Sequence, residues 1–161
     1  MRLLSFAVFV VLQIVFLPLG LVGVLLVGYK QLVISKRLGL AQSAIEVING
    51  RWTMHVFDIR SDPATVRLAD ALPNTSTLGL WLCLLPLWVK YQNCGTLFAY
   101  PRVPEEGAEG LADIVIARTL YFDRIIQRVS GEVEQFVVLG AGYDTRAYNE
   151  LRRAGLCCFE V

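Results

Sequence analysis

The hydrophobic pattern sets the start of the chain apart from the rest. No charged side chain occurs between Leu3 and Tyr29, and only Ser5 and Gln13 in that stretch are clearly polar. A helix rising about 1.5 Å per residue would be about 40 Å long here, which exceeds the roughly 30 Å hydrocarbon core of a bilayer. We therefore expect residues 1–29 to form a transmembrane anchor that contacts membrane lipid through residues 3–29.

A cleavable signal peptide is the alternative interpretation of this stretch. Such peptides have an apolar region of about 7 to 15 residues before a small-residue cleavage site. The run here is longer and continues into Gly28-Tyr29-Lys30 without an A-x-A pattern, so we favour the anchor. Arg2 precedes the span, whereas Lys30, Lys36 and Arg37 follow it. This bias predicts a single-pass membrane protein whose main body is cytoplasmic.

Residues 30–130 are expected to form a helical cap. Apolar residues at mixed helical spacing indicate a helix over 31–49 that breaks at Asn49-Gly50, and a β-like stretch follows over Trp52–Ile59. Asp62, with Pro63 at the first helical position, predicts a capped helix that runs to Leu72.

Two further helices are predicted in this region. The apolar segment 77–91 contains Pro86 and is too short to span a bilayer. We favour a buried core helix here over an interfacial helix, for which Trp81, Trp88 and Tyr91 would suit the headgroup boundary. After a loop-like stretch over 94–110, apolar residues predict a long helix over 111–129 that ends at Ser130-Gly131.

Charge and cysteine usage exclude some classes of function. Formal net charge is +1, from 15 basic and 14 acidic residues, so no long-range field would attract nucleic acid. The four cysteines form no C-x-x-C pair and the single histidine, His55, is far from them in sequence, so we expect no metal site. The adjacent Cys157 and Cys158 fit a buried strand better than a disulfide.

The last residues carry a β-turn-α-β pattern, which is typical of the start of a nucleotide-binding unit. A short apolar run over Phe136–Leu139 predicts a buried parallel strand. Gly140-Ala141-Gly142 then lets the backbone turn tightly and approach a ligand. A helix is expected next, capped by Asp144 or Thr145, running through Arg153 and ending at Gly155, before a second strand over Cys157–Val161.

The spacing favours an adenosyl cofactor over a dinucleotide. A dinucleotide site normally has a third glycine three residues after the second, and this chain has Thr145 there. S-adenosylmethionine has no phosphate, but its ribose needs a carboxylate at the end of the second strand. Glu160 follows Gly140 by about 20 residues, close to that spacing. A nicotinamide-dependent enzyme remains a rival interpretation.

The extended motif is more specific than its glycines. LGAGYDTRAY followed by FEV resembles the first motif of the leucine carboxyl methyltransferase-like family of class I methyltransferases. Ala117–Asp123 resembles the family's A-R-T-x-x-x-D helix, and the segment from Asp62-Pro63 to Ser76 resembles its N-terminal region. The likeness covers about residues 60–161 and no part of the anchor.

This resemblance implies an α/β fold, with an incomplete class I methyltransferase (Rossmann-like) domain over residues 131–161 that binds S-adenosyl-L-methionine. Because the family's sheet has further strands, we expect the domain to be truncated. Arg118 would bind the carboxylate of the methionine moiety, the alternative being an ordinary surface residue of its helix. The glycine segment, Asp144 and Thr145 would bind the cofactor, and Asp144, Thr145 and Arg146 would fix the turn. Glu160 would bind the ribose, the alternative acid position lying two residues further on.

The expected function is therefore a membrane-tethered methyltransferase that methylates a carboxylate or another O-nucleophile. The alternative is a truncated, non-catalytic membrane protein. Methyl transfer from a sulfonium needs mainly alignment of the acceptor, so no catalytic residue is assigned. His55 is interpreted as structural, and Arg146 as a partner in an ion pair with Asp123 or Asp144.

Overall fold

The computed structural model describes residues 2–95, 103, 107, 113–149, 151 and 155–161, and the backbone alone for Arg2 and Leu3. This part of the chain contains six α helices and two strands. They are α1 (Arg2–Gly28), α2 (Ser35–Leu38), α3 (Gln42–Val56), α4 (Pro63–Ala71), α5 (Thr77–Cys94), α6 (Ile114–Val129), β1 (Gln135–Val138) and β2 (Cys157–Glu160). A π-helical turn over Tyr29–Ile34 joins α1 to α2.

The N-terminal helix forms as the hydrophobic pattern predicts. Helical structure runs from Leu4 to Leu38, a stretch long and apolar enough to cross a membrane. Pro18 lies inside α1 without ending it. Gly39, at a left-handed φ of 66°, ends α2. Most of the large apolar side chains of α1 are exposed on its surface.

Helix α3 corrects two sequence predictions. It passes through Asn49-Gly50 without a break and continues to Val56, so the β-like interpretation of 52–59 is wrong as well. The apolar residues Ile45, Ile48 and Trp52 recur at helical spacing and are buried. Packing on this face outweighs the penalty of about 1 kcal/mol that glycine brings to a helix interior.

The core lies between α3, α4 and α5. Ile48, Trp52 and Ala69 are buried together, and Leu80 and Leu84 of α5 pack against them. The Asp62 side chain accepts a hydrogen bond from the backbone N–H of Thr65 and caps α4 as predicted, although that helix ends at Ala71.

Helix α5 has two packed faces. The side chain of Ser76 caps the N-terminus of α5, and the helix continues past Pro86 to Cys94. Gly95 follows it with a left-handed φ. One face lies on the core, as the sequence predicts, and a second face packs along α1. Most of the predicted loop over 94–110 lies outside the described residues. Residues 111–112 of the predicted long helix also lie outside the described residues. The helix itself, α6, ends at Val129 as predicted.

The two predicted strands are present and run parallel. Gln135 of β1 lies opposite Cys157 of β2, and Val138 lies opposite Glu160. The predicted burial of β1 is wrong, because Val137 is 49 % exposed. In the described part of the chain each strand has a single neighbouring strand, which leaves much of the sheet surface open. Cys157 is exposed as well, so the buried-strand interpretation fails for it.

The helix predicted after the glycine segment is not formed where the chain is described. A short 3₁₀ turn over Arg146–Tyr148 takes its place, and Asn149 has non-helical angles of φ −123° and ψ −92°. Thr145 and Asn149 direct their side chains to Asp62 instead of continuing a helix. The predicted helix end at Arg153 lies outside the described residues. The described residues thus form a mostly helical protein with a short parallel sheet, compatible with part of an α/β methyltransferase fold.

Candidate functional site

The bend after β1 has the open geometry that its glycines suggest. Gly140 and Gly142 have φ values of 61° and 56°, in the left-handed region that favours glycine. The N–H of Gly140 donates to the carbonyl oxygen of Val161 at 2.7 Å, which fixes the bend at the end of the sheet. A Cβ added at Gly140 would meet no atom within 4 Å. No side chain of the described residues therefore fills the space beside Gly140.

A cleft of about 740 Å³ opens beside this bend. Its volume lies within the roughly 300–1,000 Å³ that small-molecule sites usually have. The walls come from α3, α6, β1 and the bend. The polar side chains of the lining are those of Ser43, Arg51, Arg118, Thr119, Tyr143, Asp144 and Arg146, and apolar side chains of α6 form much of the remaining wall.

Arg118 lies on α6, in the wall of the same cleft that holds Gly140, Ala141 and Gly142. Its side chain is exposed. Among the described residues it has no ion-pair partner, so the guanidinium is available to an anionic ligand. The structure thus brings together four of the residues predicted for the cofactor, and Asp144 lines the cleft as a fifth.

Six charged side chains form an ionic cluster behind the bend: Arg51, Arg60, Asp62, Asp123, Asp144 and Arg146. Arg51 connects the two ends of the cluster, since it lies 3.0 Å from Asp62 and 3.3 Å from Asp144. Three arginines balance three aspartates. Buried charges are tolerated when they are paired in this way, and the cluster ties α3, α4 and α6 to the bend.

Thr145 does not line the cleft, although it was predicted to bind the cofactor. It is 2 % exposed. Its hydroxyl donates to the Asp62 carboxylate at 3.1 Å and lies 2.9 Å from the Thr65 hydroxyl. Its position instead supports the other predicted role, that of fixing the turn.

Asp62 is the centre of these contacts and is fully buried. Burial alone would raise the pKa of its carboxyl. Hydrogen bonds from Thr65 and the charges of Arg51 and Arg60 outweigh that effect and hold the pKa below its usual range. Asp62 is therefore an anion that organises the donors around it.

Arg146 forms both of the ion pairs considered from the sequence. Its Nε donates to Asp123 at 2.6 Å, and its Nη1 donates to Asp144. The guanidinium also lies 6.0 Å from the centre of the Phe122 ring. Burial would raise the pKa of Asp144, but the N–H and charge of Arg146, together with Arg51, hold it low. The structural interpretation of Arg146 is confirmed.

Glu160 is less well placed. It lies at the end of β2, opposite Val138, where its side chain is exposed and outside the cleft lining. A role in ribose binding stays a prediction for this residue. His55 lies in α3, where its Nδ1 accepts a hydrogen bond from the Asp62 N–H at 3.0 Å, which supports a structural role.

The comparison with protein families agrees with the motif. Residues 88–161 match the leucine carboxyl methyltransferase family model. The family resemblance is thereby confirmed over α6, the bend and both strands, and the match supports an S-adenosylmethionine-dependent methyltransferase. Neither the curated proteins nor the solved structures contain a significant match to the chain.

Arg51 is the residue of this site that sequence reasoning missed. Its side chain is 2 % exposed and lines the cleft. Ala44, Val47 and Arg51 follow helical spacing and share the cleft-facing side of α3. That spacing is visible in the sequence, but a predicted break at Asn49-Gly50 conceals it.

Proposed function

We propose that this protein is an S-adenosylmethionine-dependent methyltransferase, held at a membrane by α1, that methylates a carboxylate or another O-nucleophile. One observation carries the proposal: two glycines with positive φ open into a cleft whose wall holds Arg118, which has no ion-pair partner among the described residues. The family match over residues 88–161 supports the same reaction. The class of acceptor comes from the family alone.

The residues of the cleft fit the cofactor. The bare backbone at Gly140 and Gly142 leaves room for a ligand to lie against the chain. Arg118 would pair with the ligand's carboxylate, for which a planar guanidinium can make two charge-assisted hydrogen bonds. S-adenosylmethionine supplies a methyl group on a sulfonium when bound.

The protein's own contribution would be alignment and exclusion of water. Phe122, Ile125 and Val129 of α6 give the cleft an apolar wall. Such a wall favours an acceptor held in one orientation next to the cofactor. No side chain needs to act as a base when the acceptor is already a carboxylate.

A pyrophosphate would fit less well. The position where a dinucleotide site has its third glycine is Thr145, which is buried against Asp62. The 3₁₀ turn that follows offers no α-helix N-terminus to bind phosphate in the described residues.

Calorimetry on the full chain in detergent micelles tests the cofactor assignment. We expect S-adenosylmethionine to bind and NAD not to bind. Arg118→Ala should weaken binding by about 10- to 100-fold, as loss of a charged hydrogen-bonding partner usually does. Arg124→Ala is the matched control, because Arg124 is exposed on the same helix but does not line the cleft.

Each result has a distinct meaning. No binding of S-adenosylmethionine by the folded chain favours the alternative of a non-catalytic membrane protein. Binding that Arg118→Ala leaves unchanged rejects the site, and tighter binding of NAD favours the nicotinamide enzyme.

The membrane anchor has its own test. We expect the protein to remain in the membrane pellet after an alkaline carbonate wash, with its N-terminus intact. Release into the supernatant rejects the anchor, and a mature N-terminus near residue 30 identifies a cleaved signal peptide.

A further inference from the structure

Helices α1 and α5 approach each other through small residues. A Cβ added at Gly23 would lie 2.7 Å from both the sulfur of Cys83 and the carbonyl oxygen of Gly79. A Cβ added at Gly79 would lie 2.9 Å from a methyl group of Val27. Cys83 also contacts the carbonyl oxygen of Gly20 at 3.8 Å. As the numbers rise along α5 they fall along α1, so the helices are antiparallel and their backbones nearly touch.

The distribution of large and small residues in this pair is opposite to that of a water-soluble pair. In water, association of helices is driven by burial of large apolar side chains. Here the small residues face the partner, while large apolar side chains of α1 face outward, including Leu4, Ile14, Val15 and Leu25, each at least 64 % exposed. In a bilayer, large apolar side chains can face the lipid at no cost in free energy, and small residues at the contact let two helices pack closely.

Helix α5 carries an apolar stripe on a further side, where Leu78 is exposed and Leu82, Leu85 and Val89 are half-buried. Leu78, Leu82, Leu85 and Val89 share one side by helical spacing. This side differs from the side that contacts α1 and from the side with Leu80 and Leu84 that packs on the core. Leu78 is 63 % exposed. The single charged residue of α5, Lys90, is fully buried, so this stripe presents no charge to its surroundings.

The junction between anchor and body is fixed by direct contacts. The Lys30 ammonium donates to the carbonyl oxygen of Pro73 at 2.7 Å, and the Asn74 amide donates to the Ser35 hydroxyl at 3.1 Å. Pro73 and Asn74 lie shortly before α5, so this helix begins beside the C-terminal end of the anchor. The part of the chain that follows α1, here called the body, is therefore held against the end of the anchor by direct contacts rather than joined to it only by a flexible linker.

We propose that α5 contacts the acyl chains of the membrane beside α1, through Leu78, Leu82 and Leu85, so that the pair holds the body in one orientation against the bilayer. This inference rests on the proposed membrane anchoring by α1 but not on methyl transfer. Lipid is the occupant that the stripe favours, because the stripe carries no charge and lies on a helix packed along α1, whose large apolar side chains are exposed.

Site-directed spin labelling of the full chain in phospholipid vesicles tests the proposal. The background replaces Cys83, Cys94, Cys157 and Cys158 with alanine, and single labels are introduced by Leu78→Cys, Leu25→Cys and Tyr121→Cys. Tyr121 on α6 is the matched control, because it is 62 % exposed and Leu78 is 63 % exposed. Accessibility to oxygen, which partitions into lipid, is compared with accessibility to a water-soluble nickel chelate.

We expect labels at 78 and 25 to be at least several-fold less accessible to the nickel chelate than the label at 121, with oxygen accessibility reversed. If position 25 is in lipid and position 78 behaves like position 121, the anchor is retained and the role of α5 is overturned. If positions 25 and 78 are both aqueous, the anchoring itself fails. Neither result bears on cofactor binding, which calorimetry measures separately.

Discussion

The hydroxyl of Thr145 donates to the carboxylate of Asp62 at 3.1 Å, across 83 positions of the sequence. This hydrogen bond joins Thr145, which lies shortly after the glycine bend, to the residue that caps α4. Because Asp62 also pairs with Arg51 and Arg60, the position of the bend depends on helices far from it in sequence. The candidate cleft is therefore supported by the helical part of the protein as well as by the two strands.

Thr145→Val should show how much this bond contributes. Valine keeps the shape of threonine but removes one donor to the Asp62 carboxylate, which keeps its other donors, so the loss should be about 0.5–1.5 kcal/mol, that of one hydrogen bond. We expect a lower melting temperature in detergent and weaker binding of S-adenosylmethionine. Ser130→Ala, which removes a local hydrogen bond at the end of α6, serves as the control. Equal effects of the two substitutions would argue against a special role for the Asp62 contact.

Gly140→Ala tests the bend directly. The left-handed φ of 61° costs a residue with a Cβ roughly 1–2 kcal/mol. The added methyl group would also project into open space rather than into protein. We expect a modest loss of stability and a larger loss of cofactor affinity, measured by melting and by calorimetry. Gly131→Ala is the control, since it too meets no atom within 4 Å but lacks a positive φ.

The parts of the fold that local patterns determine could be predicted from the sequence. The apolar length of α1, the Asp62 cap with Pro63, and the parallel pair β1 and β2 each follow from a few neighbouring residues. Predictions failed where distant contacts decide. Helix α3 continues through Asn49-Gly50 because Trp52 packs on α4 and α5, and the helical spacing of Ile48 and Trp52 across this pair does not by itself report that packing.

The candidate site shows the same division between features that local motifs determine and features that distant contacts determine. The glycines and Arg118 belong to motifs that can be recognised in the sequence, and the structure brings them to one cleft. The helix expected after Gly142 does not form over the described residues, because Asp62 holds Thr145 and Asn149 in another conformation. Arg51 enters the site through ion pairs with Asp62 and Asp144, which the sequence does not place near each other.

Gly23→Leu should disrupt the packing of α5 on α1. Its side chain would meet Cys83 and the backbone of Gly79 at less than 3.0 Å, so the helices would have to separate. Gly20→Leu is the matched control on the same helix, where an added Cβ meets nothing within 4 Å. We expect Gly23→Leu to lower the melting temperature in detergent by several degrees more than Gly20→Leu. Both variants should stay in the membrane pellet after a carbonate wash, and similar melting temperatures would contradict the observed helix contact.

The ionic cluster predicts how stability depends on pH. Asp62 and Asp144 have pKa values below the ordinary value of 3.8, so the folded state binds protons more weakly than the unfolded state. The resulting stabilisation is fully present above pH 3.8 and is lost as the pH falls through the lower folded-state pKa values. Asp62→Asn should therefore lower stability at neutral pH and flatten the loss below pH 3.8, while Asp144 retains part of the slope. Asp70→Asn, at an exposed position of α4, should change neither the stability at neutral pH nor its dependence on pH. The measurement is a series of melting curves between about pH 2 and pH 7, roughly the range over which carboxylates titrate. If the dependence of stability on pH is the same in Asp62→Asn as in the unmodified protein, the buried carboxylate is not the anion that organises this cluster.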